Sequence, residues 1–303
     1  MEQNWALARK RHNLMERARI VWTIRAFFID RGYLEVETPH RIPGNAPEGY
    51  IDAVPSGDWF LHTSPELCMK RLLAAGYERL FQICRCWRQG ERGRRHLPEY
   101  TMLEWYRTGV DYSALMTECE DLLAALVPTG KLTGGGATID LAPPWERLTV
   151  AEAFARHGSL SLEAALTTGR FDELIAFEIE PHLGLARPTF LTEYPASLAA
   201  LARKKPGAPK VAERFELYIA GIELANAFSE LTDPVEQRQR FEQEEAQRRA
   251  ADKAPYPVPE KFLRELATMP EAAGIALGVD RLVMLLTGAE TIDEVVAFTP
   301  EEL

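Results

Sequence analysis

The chain has 303 residues, with 45 acidic against 35 basic side chains and a formal net charge of −10. Hydrophobic residues make up 46% and charged residues 26%, a balance that excludes disorder and fits one sizeable α+β domain, or a domain with a lobe. The acidic balance argues against broad nucleic-acid binding. No apolar run approaches the ~18 residues of a membrane span, and the first residues lack the apolar stretch of a secretory signal, so the cytoplasm is the expected compartment.

Leu14, Ala18, Val21, Ile24 and Phe28 recur at helical spacing ahead of Gly32, predicting an amphipathic helix over 13–31. In GYLEVETP, Leu34 and Val36 alternate with Glu35 and Glu37 before Pro39, a short edge strand suited to a subunit contact. RIPGNAPEGYIDAVPSGD reads as loop. In LHTSPELCMKRLLAAGYERL, Ser64 is the N-cap, Pro65 the first helical residue and Gly76 the end signal. Glu66 falls in the first turn, where a carboxylate complements the helix dipole.

Period-two alternation over Phe81–Arg88 and Tyr100–Tyr106, joined by a glycine- and arginine-rich loop, predicts an antiparallel hairpin. Gln82, Cys84, Cys86 and Arg88 share one face of the first strand, and Tyr100, Met102, Glu104 and Tyr106 one face of the second. An arginine, an acid and two phenols above small cysteines read as the floor of a polar pocket. Six arginines lie between Phe81 and Arg107, and in so acidic a chain they point to a small anion; loop solubility is the plain reading for Arg92 and Arg94. Cys68, Cys84, Cys86 and Cys119 form no paired C-x-x-C pattern, so neither a zinc site nor a disulfide framework is expected.

Residues 111–127 and 150–156 read as helices. TGGGA, from Thr133, lacks the G-x-x-x-x-G-K-[ST] pattern and reads as a hairpin turn. LARKKPGAPKVAE reads as a mobile basic loop, with Arg203 to Lys210 either docking a partner or an idle flexible segment. FELYIAGIELANAFSEL predicts a hairpin turning near Gly221 and carries Glu216, Glu223, Asn226 and Glu230. Glu223 has the opposite parity to Asn226 and Glu230, so a bulge is required if all three are to face one way. DPVEQRQRFEQEEAQRRAADK reads as a charged helix with a solvated face. GIALGVDRLVMLLTG passes from a small-residue strand to an apolar helix ending near Gly288; glycines inside a strand indicate a close approach by ligand or backbone.

In this order, a strand ending in proline, an arginine hairpin, and a glycine-spaced strand leading through Arg281 into a helix resemble the three signature motifs of class II aminoacyl-tRNA synthetases. Within that class TSPELCMKRLL, RHLPEYTMLEWYR, TEYPASLAALA, FELYIAGIELANAFSEL and GIALGVDRLVML look like the lysyl-tRNA synthetase catalytic core, over nearly the whole chain. The resemblance implies an α+β class II catalytic domain, an antiparallel β-sheet flanked by helices, with residues 1–303 as a single domain. Two departures refine it. The chain opens without the N-terminal anticodon-binding β-barrel, and Ala276 replaces a glycine between Gly274 and Gly278. Both features are similar to truncated paralogues that activate lysine, preferably (R)-β-lysine, and join it to a lysine side chain of elongation factor P.

That resemblance implies ATP and Mg2+ as cofactors, a lysyl-adenylate intermediate, elongation factor P as protein acceptor, and a homodimer built on the early helix and strand. Neither tRNA nor a membrane is an expected partner. It assigns Arg88 to the α-phosphate, Arg281 and Tyr100 to the two faces of adenine, and Glu91, His96, Leu224 and Gly278 to further ATP contacts. His96 receives no catalytic role. Glu216 and Glu223 match the metal-binding glutamates. Ser64 and Glu66 fall near the amine at the reacting end, Glu104, Tyr106 and Glu230 at the side-chain end, Asn226 at the substrate carboxylate, and Ala276 where its methyl would shift the amine's seat. The second motif departs from Arg-Asn-Glu: Arg88, Gln89 and Gly90 precede Glu91, and Leu97 replaces an asparagine, so that either Glu91 holds the adenine amino group through a shifted loop or the acid for that role is absent. Two alternatives stand beside this reading, a minimal lysyl-tRNA synthetase and a regulatory paralogue without catalysis.

Overall fold

The computed structural model describes residues 5–134 and 137–303. The chain forms two compact units, one from the segment up to Gly109 together with the segment from Glu230 onward, the other from Val110–Ser229.

In the first unit the helix Arg11–Asp30 buries Ile20, Ile24, Phe27 and Phe28, and Gly32 follows it at a φ of +74°. Phe28 sits 5.1 Å from the Phe81 ring and 5.0 Å from Trp105, so the helix covers the apolar face of the hairpin. Truncating a buried ring of this kind costs about 3–5 kcal/mol. The hairpin pairs Arg79–Trp87 with Glu99–Thr108, setting Gln82 opposite Glu104, Cys84 opposite Met102 and Cys86 opposite Tyr100. Opposed residues on antiparallel strands project to one face, so the polar face is the one expected from the alternation. The second strand also pairs with Ala272–Gly278, placing Gly274 opposite Tyr106 and Ala276 opposite Glu104. Leu34–Glu35 lies parallel to the first strand, extended by a 2.9 Å bond from the Val36 amide to the Phe81 carbonyl.

Asp280 opens the helix Val279–Thr287 and is buried. Its carboxylate takes Arg17 Nη1 at 2.5 Å and the Thr101 amide at 2.7 Å, tying the third-motif strand to the first helix and the hairpin. Gly288 ends the helix at a φ of +68°.

Two expectations need correction here. The segment read as loop after Pro39 carries the short strands Arg41–Ile42 and Pro55–Ser56, which flank Trp59–Leu61. The charged helix Pro234–Ala250 is not merely solvated: Arg248 is 1% exposed and donates to the carbonyls of Glu48, Ile51 and Ala254. A guanidinium with several donors can satisfy a turn's backbone in the interior, which composition cannot reveal.

In the second unit Ile222–Ser229, Arg214–Ile219, Thr189–Thr192 and Glu146–Thr149 pair side by side in that order. The first hairpin turns through Ala220 and Gly221 at φ values of 56° and 67°, a two-residue turn whose twist suits the flanking strands. The helices Tyr112–Leu126, capped by Asp111, and Val150–His157 match the sequence expectation. The basic segment does not form a loop. Lys204–Lys205 and Ala208–Ala212 pair across Pro206–Gly207, with Gly207 at a φ of +77°; the Pro-Gly signal marks a tight turn between strands. Lys131–Gly134 pairs with Ala137–Asp140, and the turn expected in TGGGA falls on residues 135–136, outside the described residues.

Candidate active site

The helix Glu66–Ala74 begins beside the hairpin's polar face. Ser64 Oγ accepts from the Glu66 amide at 3.0 Å, the capping role expected of it, and donates to Glu104 Oε1 at 2.6 Å. Tyr106 donates to the other oxygen of Glu104 at 2.7 Å. Glu104 is 1% exposed; burial, reinforced by the charge of Glu66 and opposed by these two donors, pushes its carboxyl up to about 8. Four residues beyond Glu66 on the same helix face, Lys70 reaches Glu66 Oε1 at 2.6 Å and Glu230 Oε2 at 2.5 Å. Burial works to lower Lys70, but the charges of Glu230 and Glu66 outweigh it and hold the ammonium above its usual range. Glu230 is also raised to about 8, by burial first, with Lys70 opposing. Its Oε1 is buried without a hydrogen-bond partner among the described residues.

Gly274 explains the glycine expected in this strand. A Cβ there would meet Tyr106 Cε1 at 2.3 Å and Glu230 Oε1 at 2.4 Å, so the strand approaches both groups as only glycine permits. Ala276, opposite Glu104, packs beside Cys84, Cys86 and Met102. A Cβ at Gly278 would make only ordinary contacts, at 3.7 Å from Arg281 and beyond, so sterics within the chain do not demand glycine there.

The same unit holds the arginines. The Arg88 guanidinium lies 5.2 Å from the Tyr100 ring centre and 3.7 Å from Glu91 Oε1. Tyr100 donates to the Thr63 carbonyl at 3.0 Å. Arg281 reaches His96 Nε2 at 2.6 Å; because guanidinium only donates, that nitrogen accepts and the imidazole is neutral. Desolvation first, then the Arg281 charge, holds His96 below the usual imidazole range. The structure thus gathers Arg88, Glu91 and Tyr100, and joins His96 to Arg281. Gly90 sits at a φ of +78°, a conformation that favours glycine, and Leu97 is buried, so both departures in the second motif have local structural causes. Arg92 grips Glu301 and Asp293 at 2.9 and 2.8 Å and fastens the loop to the C-terminal segment, while Arg94 is exposed.

In the second unit the register shifts between Leu217 and Tyr218: Glu216 opposes Asn226, yet Tyr218 opposes Glu223. Leu224 is the extra residue of that bulge and its side chain is buried. The bulge brings Glu223 onto the face of Asn226, as their opposite parity required, and Glu216 shares that face; Glu230, the third residue of the parity argument, lies beyond the strand's end at Ser229. Glu216 accepts from Tyr194 and Tyr218, both at 2.6 Å, and from Arg214 Nη2 at 2.6 Å. Arg214 also donates to Asn226 Oδ1 at 3.1 Å and lies 4.3 Å over the Tyr194 ring. Burial first, then the charge of Glu223, raises the Glu216 carboxyl, with Arg214 opposing.

Lys70, Arg214, Tyr194 and Tyr218 were not anticipated. Only Lys70 left a trace, its four-residue spacing from Glu66. The basic segment is less available for docking than expected, since Arg203 pairs with Glu213 at 2.7 Å and Lys205 with Glu193.

A family model described as class II tRNA synthetases (D, K and N) matches residues 5–302. The elongation factor P–(R)-β-lysine ligase of Pectobacterium carotovorum subsp. carotovorum is 41% identical, over 98% of this chain and 98% of its own. Ligases of the same name are 41% identical in Erwinia tasmaniensis, over 98% and 97%, and 42% identical in Edwardsiella ictaluri, over 95% and 94%. Among the described residues no helix is long and apolar enough to cross a membrane.

Proposed function

Because the chain belongs to the class II tRNA synthetases of the D, K and N group, we propose that it activates lysine, preferentially (R)-β-lysine, with ATP and transfers it to a lysine ε-amine of elongation factor P. The observation that carries this reading is a cluster of three carboxyls: the buried Glu230 and the half-buried Glu66 both hold the buried Lys70, and Glu104 is buried against Ser64 and Tyr106. Three carboxylates against one ammonium are balanced by a substrate bringing two further ammonium groups, and buried charges require such pairing. Full-length similarity to ligases of that name supports the choice of acceptor.

In the first step a carboxylate oxygen of lysine attacks the α-phosphorus of ATP, forming the mixed anhydride as pyrophosphate leaves. The carboxylate is already ionised and needs no base, so the chain's task is positioning and charge stabilisation. Arg88 holds the α-phosphate oxygens, and its guanidinium is permanently charged. Arg281, steadied by His96, and Tyr100 take the faces of adenine, with Glu91 toward its amino group; the main chain at Leu224 and Gly278 completes the nucleotide contacts. Glu230 and Glu104, with Tyr106, receive the side-chain ammonium, and Glu66, with Ser64, the amine near the reacting end. Asn226, whose Oδ1 is taken by Arg214, keeps its amide donors for the substrate carboxylate. In the second step the acceptor amine attacks the anhydride carbonyl, an amide forms and AMP leaves.

Glu216 and Glu223 suit a hard divalent cation. Both offer oxygen, they share a face, and the charge of Glu223 helps raise the Glu216 carboxyl, a repulsion that such an ion relieves. Magnesium held there supplies charge neutralisation for the phosphate oxygens. The methyl of Ala276, where the family's third motif has glycine, narrows the pocket and shifts the seat of the substrate amine, the basis for the β-lysine preference.

The protein acts as a homodimer, with residues 1–303 as one catalytic domain. Met15, Trp22 and Ile29, at 63%, 70% and 56% exposure, recur every seven residues on one helix, and Leu34 on the edge strand is also exposed, an apolar stripe suited to a second copy.

The deciding test supplies ATP, magnesium and either (R)-β-lysine or α-lysine, with elongation factor P and lysine tRNA in separate reactions, and weighs each acceptor. A lysyl-sized gain on the protein alone is expected. Label on the tRNA alone, or no pyrophosphate release, would overturn the reading.

A further inference from the structure

Beneath Tyr100 and Ala276 the hairpin carries a feature that adenylate chemistry does not use. Cys84 and Cys86 alternate on one strand and share its inner face, with Sγ atoms 3.9 Å apart. His62 approaches them from the loop ahead of the Glu66 helix, and one ring nitrogen and both sulfurs lie within 4.8 Å of one another. All three residues are buried. Nε2 of His62 lies 2.7 Å from the Arg85 carbonyl oxygen. A carbonyl only accepts, so Nε2 carries the hydrogen and Nδ1 the lone pair; metal-binding histidines are oriented by this kind of anchor.

We propose that His62, Cys84 and Cys86 form a binding site for a thiophilic divalent cation, with Zn2+ the best match. Two sulfurs bound at about 2.3 Å stand about 3.8 Å apart in a tetrahedron and about 4.0 Å in a trigonal plane, and the observed separation lies between these values. Charge selects a divalent ion. Binding releases two thiol protons, and two thiolates with a neutral imidazole then cancel a 2+ charge; a monovalent ion would leave a net anion in a buried place, at a desolvation cost. The site lacks a C-x-x-C pair because the strand supplies thiols at i and i+2 and the fold brings the imidazole from 22 residues upstream of Cys84. A cation here would fix the segment leading to Ser64 and Glu66 against the floor under Tyr100 and Ala276, a structural service to the lysine pocket.

The test uses the full-length chain, stripped with chelator and titrated with Co2+ and then Zn2+. The expected result is one Co2+ per chain with a thiolate-to-cobalt charge-transfer band, displaced by Zn2+, abolished in Cys84→Ser and Cys86→Ser and retained in Cys68→Ser. X-ray absorption at the zinc edge of the unaltered protein provides a readout that does not depend on whether the variants fold, with two sulfur neighbours at about 2.3 Å expected. Absence of the band, its survival in both cysteine variants, or a zinc shell of oxygen and nitrogen alone would overturn the proposal.

Discussion

Between pH 6 and pH 7 the dissociation constant for lysine is expected to fall by up to about 100-fold, because Glu104 and Glu230 must give up protons to receive ammonium groups. Both carboxyls are pushed up to about 8 in the fully buried cluster. Well below that value each pH unit changes the ionised fraction about tenfold, or about 1.4 kcal/mol per group. Two groups give a limiting slope of two in log Kd against pH, and binding at pH 7 should release close to two protons. The same shifts govern stability. An unfolded glutamate titrates near 4.5, so the folded state holds these protons more tightly, and stability of the substrate-free chain falls as pH rises from there through 8. Lysine should therefore raise the melting temperature more at pH 8 than at pH 6. Calorimetric titration in two buffers of different ionisation enthalpy counts the protons directly, and Glu104→Gln should remove one of them. A pH-independent Kd with no proton release would refute the assignment of these carboxyls to the substrate amines.

Gly274→Ala places a methyl within 2.4 Å of Tyr106 and Glu230; overpacking of this kind costs about 1–3 kcal/mol, and pyrophosphate exchange should show KM for lysine rising while that for ATP holds. Lys70→Met leaves Glu66 and Glu230 facing each other without a counter-ion, so Glu230 should rise further, shifting the pH dependence of lysine binding upward; an unchanged profile would deny Lys70 its positioning role. Arg214→Met removes a half-buried partner of Glu216, a change expected to cost about 1–3 kcal/mol in chemical denaturation and, because Arg214 opposes the rise of the Glu216 carboxyl, to increase the magnesium needed for exchange at pH 7. Trp22→Asp should convert a dimer to monomers in sedimentation without unfolding the chain, whereas a variant that sediments as the parent does would dismiss the exposed stripe as the contact.

Much of the framework was legible because it rests on local rules. Period-two alternation placed Glu104 and Tyr106 on the face with Cys84 and Cys86, and the observed register agrees. The parity conflict at Glu223 demanded a bulge, and one occurs at Leu224. The basic segment was misread for an equally local reason: Pro-Gly marks both a loop and a tight turn, and only pairing of the flanking residues separates them.

By itself, then, the sequence determined the main helices and hairpins, the faces of the long strands and the family likeness, since these depend on residues a few positions apart. The tertiary structure decided which distant groups meet. Lys70 reaches Glu230 across 160 positions, Gly274 meets Tyr106 across a strand pair, and His62 joins two thiols that strand periodicity had merely aligned. Strand order and close packing set such encounters, and the low polarity around them turns the meeting of a few charges into shifted proton affinities; neither is written in the spacing of residues along the chain.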